Sequence, residues 1–205
     1  MFKVSSETKE DATMNAQTRI PLVGLLVVQL AIGYEWAMSG LTKIVRGGFP
    51  SGLAAELRDK SQGAASWYRS FLDSAVIPHA SAWGYAIEIG ELMIGLALIG
   101  AALIWLFRWE RLRARARRGV LLGVVLASLG GVLMAVNFHL ANGAPHPWLI
   151  PKSGFDEGVD LDSLLPFIQL VFAAVAGRLW LLDRRATAAR SLEAPLTVAG
   201  AGGGQ

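Results

Sequence analysis

The chain should fold as an all-α integral membrane protein: a four-transmembrane-helix bundle with amphipathic helices in its outer loops. Three observations predict this. Of 205 residues, 53% are apolar and only 17% charged, where a soluble domain carries about a quarter charged. Mean hydropathy is +0.44. The apolar residues arrive in four long blocks instead of short alternating strands, each near the roughly 20 residues that a hydrocarbon core about 30 Å thick demands of a helix. The sequence has no Cys, which excludes a disulfide scaffold, a thiolate metal site and a Cys nucleophile.

Residues 1–19 are polar and mixed in charge, and read as a mobile cytoplasmic N-terminal tail. The first span is 20–45. A cleaved signal peptide is the rival reading, but its apolar region would be about 7–15 residues long behind a basic stretch. Here the run is longer, and Glu7, Glu10 and Asp11 precede it. In the connection that follows, Leu53, Leu57, Trp67, Phe71, Leu72 and Val76 fall mostly three or four residues apart. That spacing predicts one or two short amphipathic helices, either lying on the outer membrane face or folded as a cap over the bundle mouth. The second span is 82–107 and the third 119–140. Within the third, Gly119, Gly123, Ala127, Gly131 and Ala135 recur every four residues. Such a stripe lets another backbone approach closely, within the bundle or from a partner. The fourth span, 164–182, opens at Leu164-Leu165-Pro166, where Pro suits a first turn. The membrane bundle is therefore 20–182, and 183–205 is a cytoplasmic C-terminal tail.

Arginine sets the expected orientation. The stretch 108–118 holds Arg108, Arg111, Arg113, Arg115, Arg117 and Arg118 against Glu110, and Arg184, Arg185 and Arg190 follow span four. The connection 46–79 is balanced, and 141–163 sets Lys152 against Asp156, Glu157, Asp160 and Asp162. By the positive-inside rule this is a multi-pass protein of the cytoplasmic (inner) membrane, with both termini cytoplasmic and the long loops outside. Trp83 and Tyr85 outside, and Trp105, Trp109 and Trp180 inside, mark the two interfaces. A net charge of +3 and a pI near 9.5 do not point to nucleic acid. The basic run is a short turn against anionic lipid, without aromatics interleaved for bases.

The informative residues are polar ones inside apolar runs, since a charge at mid-bilayer costs about 2.5–3.5 kcal/mol even on lenient scales. Span one carries Glu35, Ser39, Thr42 and Lys43 on one helical face, and span two carries Glu88 and Glu91 three apart. Glu35 lies roughly 15 Å from the outer end of its span, and Glu88 and Glu91 roughly 9 and 14 Å. Asn137 and His139 sit near the outer mouth of span three. All gather in the outer half, where Glu35, Lys43, Glu88 and Glu91 are expected to form one network. Two adjacent carboxylates favour sharing a proton, which suits Glu88 and Glu91 to proton transfer. Each has a plain alternative: Lys43 can snorkel outward, the glutamates can pair with it merely to pin helices, and His139 can be a mouth residue. No metal is expected, because His139, His146, Glu88 and Glu91 show neither H-E-x-x-H nor a Glu-x-x-His pair.

The stretch Glu35-Trp-Ala-Met-Ser-Gly-Leu-Thr-Lys-Ile, the Glu88-x-x-Glu91-x-x-x-Gly95 run and Asn137-Phe-His139 resemble the DoxX-like membrane proteins. That family includes the DoxD-type small subunit of thiosulfate:quinone oxidoreductase. The resemblance covers about 20–182, with Gly40-Leu-Thr-Lys43 looking like the family's small-x-x-Lys signature. The chain departs from the family in having Glu35 or Trp36 where members often carry Arg. The resemblance implies a redox-associated bundle that meets quinone in the membrane beside a second protein subunit.

On that expectation the polar site faces quinone, with Glu88 and Glu91 moving protons and Glu35, Lys43, Asn137 and His139 lining the pocket. The sequence has no Cys for an iron–sulfur cluster and no paired mid-membrane His for haem, so the chain is expected to be a subunit of a quinone-linked oxidoreductase, not a catalyst alone. Two other functions use the same residues: a small transporter or proton-relay subunit, and a structural partner-binding bundle. Four spans are few for a transporter, and no inverted repeat is visible.

Overall fold

The structure is a computed structural model that describes residues 7–143 and 161–199, with side chains described for 21–143 and 163–188. Six α-helices make the fold: α1 (Glu7–Arg46), α2 (Phe49–Lys60), α3 (Ser66–Phe71), α4 (Ala80–Arg108), α5 (Ala114–Ala141) and α6 (Leu161–Ala199). Four continuous helical segments are long and apolar enough to cross a membrane: Pro21–Arg46 in α1, Ser66–Arg111 running from α3 through α4, Ala114–Ala141 in α5 and Ser163–Ala188 in α6. This is an all-α four-span bundle. Many of its large apolar side chains face outward, among them Met93, Leu96, Leu126, Leu133 and Leu170, as a lipid-facing surface requires.

The helices run further than the apolar runs. Residues 7–19, read as tail, continue α1 through Pro21, and 183–199 continue α6. Once a span is helical, each added residue gains a backbone bond without a new nucleus, so polar flanks can extend it. Pro166 consequently stands sixth in α6, past the first turn in which the sequence places it. The arginine-rich stretch is mostly helix as well, since α5 starts at Ala114. The segment 144–160, with His146, Lys152 and most of the acidic residues of that connection, lies outside the described residues.

Packing runs α1 against α4, α4 against α5, and α5 against α6. A core of Ile32, Trp36, Ile94, Leu98, Leu121 and Phe172 draws on all four spans. The tightest approach joins α1 to α4. A Cβ on Gly40 would stand 2.5 Å from the Leu92 amide nitrogen and 2.6 Å from the Glu88 carbonyl oxygen, and one on Gly95 would collide with the Ala37 backbone. The predicted stripe on α5 behaves differently along its length. Gly131 and Ala135 are buried, and Gly131 receives the Gln169 side chain of α6, whereas Gly119 and Gly123 face open space. Only the C-terminal half of the stripe is thus a packing surface among the described residues.

The 47–79 connection is a cap. Gly47 and Gly48 take positive φ of 67° and 79°, a region that Gly enters without steric cost, and they turn the chain from α1 into α2. Pro50 of α2 seats on Gly84 of α4. A π-helical turn at Leu72–Val76 and a 3₁₀ turn at Ile77–His79 then lead into α4. Pro78 lacks an N–H and crowds the carbonyl four residues back, which accounts for the widened turn before it. Tyr68, Leu72 and Val76 pack into a second small core with Ala64, against Leu140 and Ala141 of α5. The amphipathic segment therefore folds over the bundle instead of lying apart from it.

At the opposite end, the two oxygens of Asp183 on α6 meet two arginines of α5. Arg118 Nε lies 2.7 Å from one and Arg117 Nη2 3.3 Å from the other.

Candidate functional site

The site is built where α1, α4 and α5 meet the cap. Lys43 is one helical turn from Ser39, so its stem runs back along α1 toward the bundle instead of outward. Its ammonium donates to Ser39 Oγ at 2.8 Å and to Glu91 Oε1 and Oε2 at 2.7 and 2.5 Å. The pair is unequal in exposure: the Lys43 side chain is 24% exposed and that of Glu91 1%. Two rings flank the cation, Phe49 of α2 at 5.3 Å and Phe138 of α5 at 5.9 Å from their centroids. A cation over ring faces gains further electrostatic support where water is scarce.

The other expected residues are placed as follows. Glu88 is buried, and its side chain makes no hydrogen bond or ion pair with another described residue. Glu35 is exposed on α1. His139 is buried, with Nδ1 3.2 Å from Ser163 Oγ, which ties α5 to α6. Asn137 donates from Nδ2 to the Leu133 carbonyl at 2.7 Å. The structure thus brings Lys43 and Glu91 into contact, keeps Glu88 one turn away on α4, and leaves Glu35 on the surface.

Tyr68 is a residue that reasoning from charge passed over. Its hydroxyl lies 3.1 Å from both the backbone oxygen and Oδ1 of Asn137, tying the cap to α5. A search for ionisable residues in apolar runs does not reach a tyrosine in the short helix of a connection between spans. The Gln169 carboxamide, fully buried against Gly131, and the Ser128 hydroxyl were missed for a similar reason. Neither side chain has a hydrogen-bond partner among the described residues.

Between cap and bundle lies a cavity of about 800 Å³. Its wall is mostly apolar and includes Phe49, Leu72 and Phe138, with Lys43, Glu56, Lys60, Tyr68, Asn137 and Asn142 as polar points. Glu88, Glu91 and His139 do not line it. The volume falls in the range of small-molecule sites, which run about 300–1,000 Å³ with few polar groups in apolar walls. Among the described residues, no three His, Asp or Glu side chains group as a metal site. Compared with known proteins, the chain matches no family model, no curated protein and no solved structure.

Proposed function

We propose that the chain is a DoxX-like, redox-associated membrane subunit whose capped cavity receives a quinone in the outer half of the bilayer. The observation that carries this reading is the cavity itself: a half-open, mostly apolar pocket of about 800 Å³ whose few polar groups include the Lys43 ammonium and the Asn137 carboxamide. A quinone is a flat apolar ring bearing two carbonyl acceptors. The second Nδ2 hydrogen of Asn137 is available to one such oxygen, since the first goes to Leu133. When bound, a quinone supplies the capacity to take two electrons and two protons. In this reading the protons come from two carboxylates behind the wall: Glu91, which meets the cavity through Lys43, and Glu88, buried one turn away on α4 without a partner among the described residues. With no Cys in the sequence, the electrons enter from a second subunit or from a reductant that meets the quinone directly. Positive-inside charge puts both termini in the cytoplasm and the cavity toward the outside of the inner membrane.

The test is titration of the purified protein with decyl-ubiquinone, read by quenching of tryptophan emission. Saturable binding is expected in the wild type. Asn137→Leu should weaken it about tenfold, the equivalent of one lost hydrogen bond of ~1.4 kcal/mol. Unsaturable quenching, unchanged by the substitution, would refute the quinone site. Proton-coupled solute uptake in proteoliposomes would favour the transporter reading.

A further inference from the structure

The Lys43 ammonium stands in the cavity wall, yet it has nothing left to give. An ammonium carries three hydrogens, and its three acceptors are Ser39 Oγ and both oxygens of Glu91. A ligand oxygen can therefore bond to this cation only by displacing one of them. Displacing Glu91 strands a carboxylate that is 1% exposed. An unpaired buried charge is expensive enough that such a group neutralises instead.

The charges around the pair close off other solutions. On α1, Glu35 adds a further negative charge on the same helical face; on α4, Glu88 is buried one turn away. On α2, Glu56 and Lys60 line the cavity but answer each other at 2.8 Å. On α3, Arg69 is exposed and bonds the Gln62 carbonyl. On α5, His139 is engaged with Ser163. None of these lies in ion-pair contact with Glu91, whose one salt bridge among the described residues is to Lys43.

Resting on the reading of this cavity as a ligand site, we propose that it also binds a long-chain carboxylate, whose head replaces Glu91 on Lys43 while Glu91 takes up one proton. The balance is simple. The Lys43–Glu91 contact breaks, a contact between Lys43 and the ligand carboxylate forms, and a proton from water forms an O–H bond on Glu91. The net charge of the site is unchanged, with one cation and one anion before and after. The acyl chain lies along the apolar wall near Phe49, Leu72 and Phe138, and the head reaches the cation between the two rings. Binding is thereby proton-coupled without a dedicated proton channel.

The experiment uses decanesulfonate, whose head stays ionised throughout, with the protein in phosphatidylcholine nanodiscs. Calorimetry in two buffers of different ionisation enthalpy counts the protons taken up per ligand bound. About one proton is expected at pH 7.5, and Kd should rise about tenfold per pH unit, as linkage to one proton requires. Glu91→Gln should bind without proton uptake and without that pH dependence. Ala86→Trp, at a small residue of the cavity wall, should abolish binding. No binding, binding without proton uptake, uptake surviving in Glu91→Gln, or indifference to Ala86→Trp would each overturn the proposal. Saturable decyl-ubiquinone binding alongside any of those results would leave the quinone site standing, and its failure as well would remove the cavity as a ligand site.

Discussion

Lys43 and Glu91 are bonded to each other, but they are not equivalent. Deprived of its partner, Lys43 has a four-carbon stem and 24% exposure, so its ammonium can swing toward the rim and water. Glu91, 1% exposed, has no such route. Removing the cation should therefore harm the fold more than neutralising the anion. Lys43→Met is expected to cost up to about 3–5 kcal/mol, the usual penalty for orphaning one partner of a buried pair. Glu91→Gln keeps the shape and a hydrogen-bonding end, and should cost about 1–2 kcal/mol. Thermal unfolding of both variants in the same detergent checks this, and equal or reversed losses would contradict it. The pairing was half legible in sequence. The cost of charge in lipid said that Lys43 and a glutamate need partners, and helical spacing put them on inward faces. Which glutamate wins is decided by the rotation of α4 against α1, which spacing along one helix does not contain. Glu35 shows the limit: it shares a helical face with Ser39 and Lys43, yet stands exposed.

At the scale of elements, hydropathy located four spans but not the ends of the helices, because it measures preference for lipid and not backbone hydrogen bonding. Small-residue spacing misled in a similar way. The four-residue repeat on α5 is the most regular in the chain, yet Gly119 and Gly123 meet open space, while Gly40 and Gly95, in less regular surroundings, hold the α1–α4 contact. A repeat marks where a backbone can approach, and only the packing decides where one does. The consequence is testable by substituting Leu at each. Gly95→Leu pushes a side chain into the backbone of Ala37, which cannot yield as a flexible side chain can. The loss should be at the upper end of the roughly 1–3 kcal/mol usual for overpacking, or should prevent folding. Gly123→Leu should stay within about 0.5 kcal/mol of the wild type. Denaturation in sodium dodecyl sulfate mixed with a mild detergent reads both, and a severe effect at Gly123 would indicate a partner helix on that face.

For the molecule as a whole, the two ends of the bundle differ in charge, and that difference bears on where the cavity sits. The cap end, 47–79, carries Arg58, Lys60 and Arg69 against Glu56, Asp59 and Asp73, which is balanced. The opposite end carries six arginines within 108–118 against Glu110. Asp183 meets two of them. Arg117 also lies 5.9 Å from the Trp109 ring centre, which itself stacks on Trp105 at 5.4 Å. Arg184 lies 4.9 Å from the Trp180 ring centre. Tryptophan planes under guanidinium groups suit the level of lipid head groups, where an apolar ring and a charge are both accommodated. In the proposed orientation the excess of Arg assigns this end to the cytoplasmic side, and the cap and cavity to the other. The chain has no Cys, so single cysteines can be introduced on a clean background. Asp59 and Arg113 are both exposed, one on α2 and one in the α4–α5 turn. A membrane-impermeant maleimide added to intact cells should label Asp59→Cys, and should label Arg113→Cys only after the membrane is permeabilised. The reverse pattern would invert the bundle and turn the cavity to the cytoplasm. Labelling of both sites in intact cells would mean that the two ends do not lie on opposite sides of one membrane, and the four-span reading would fail with the orientation.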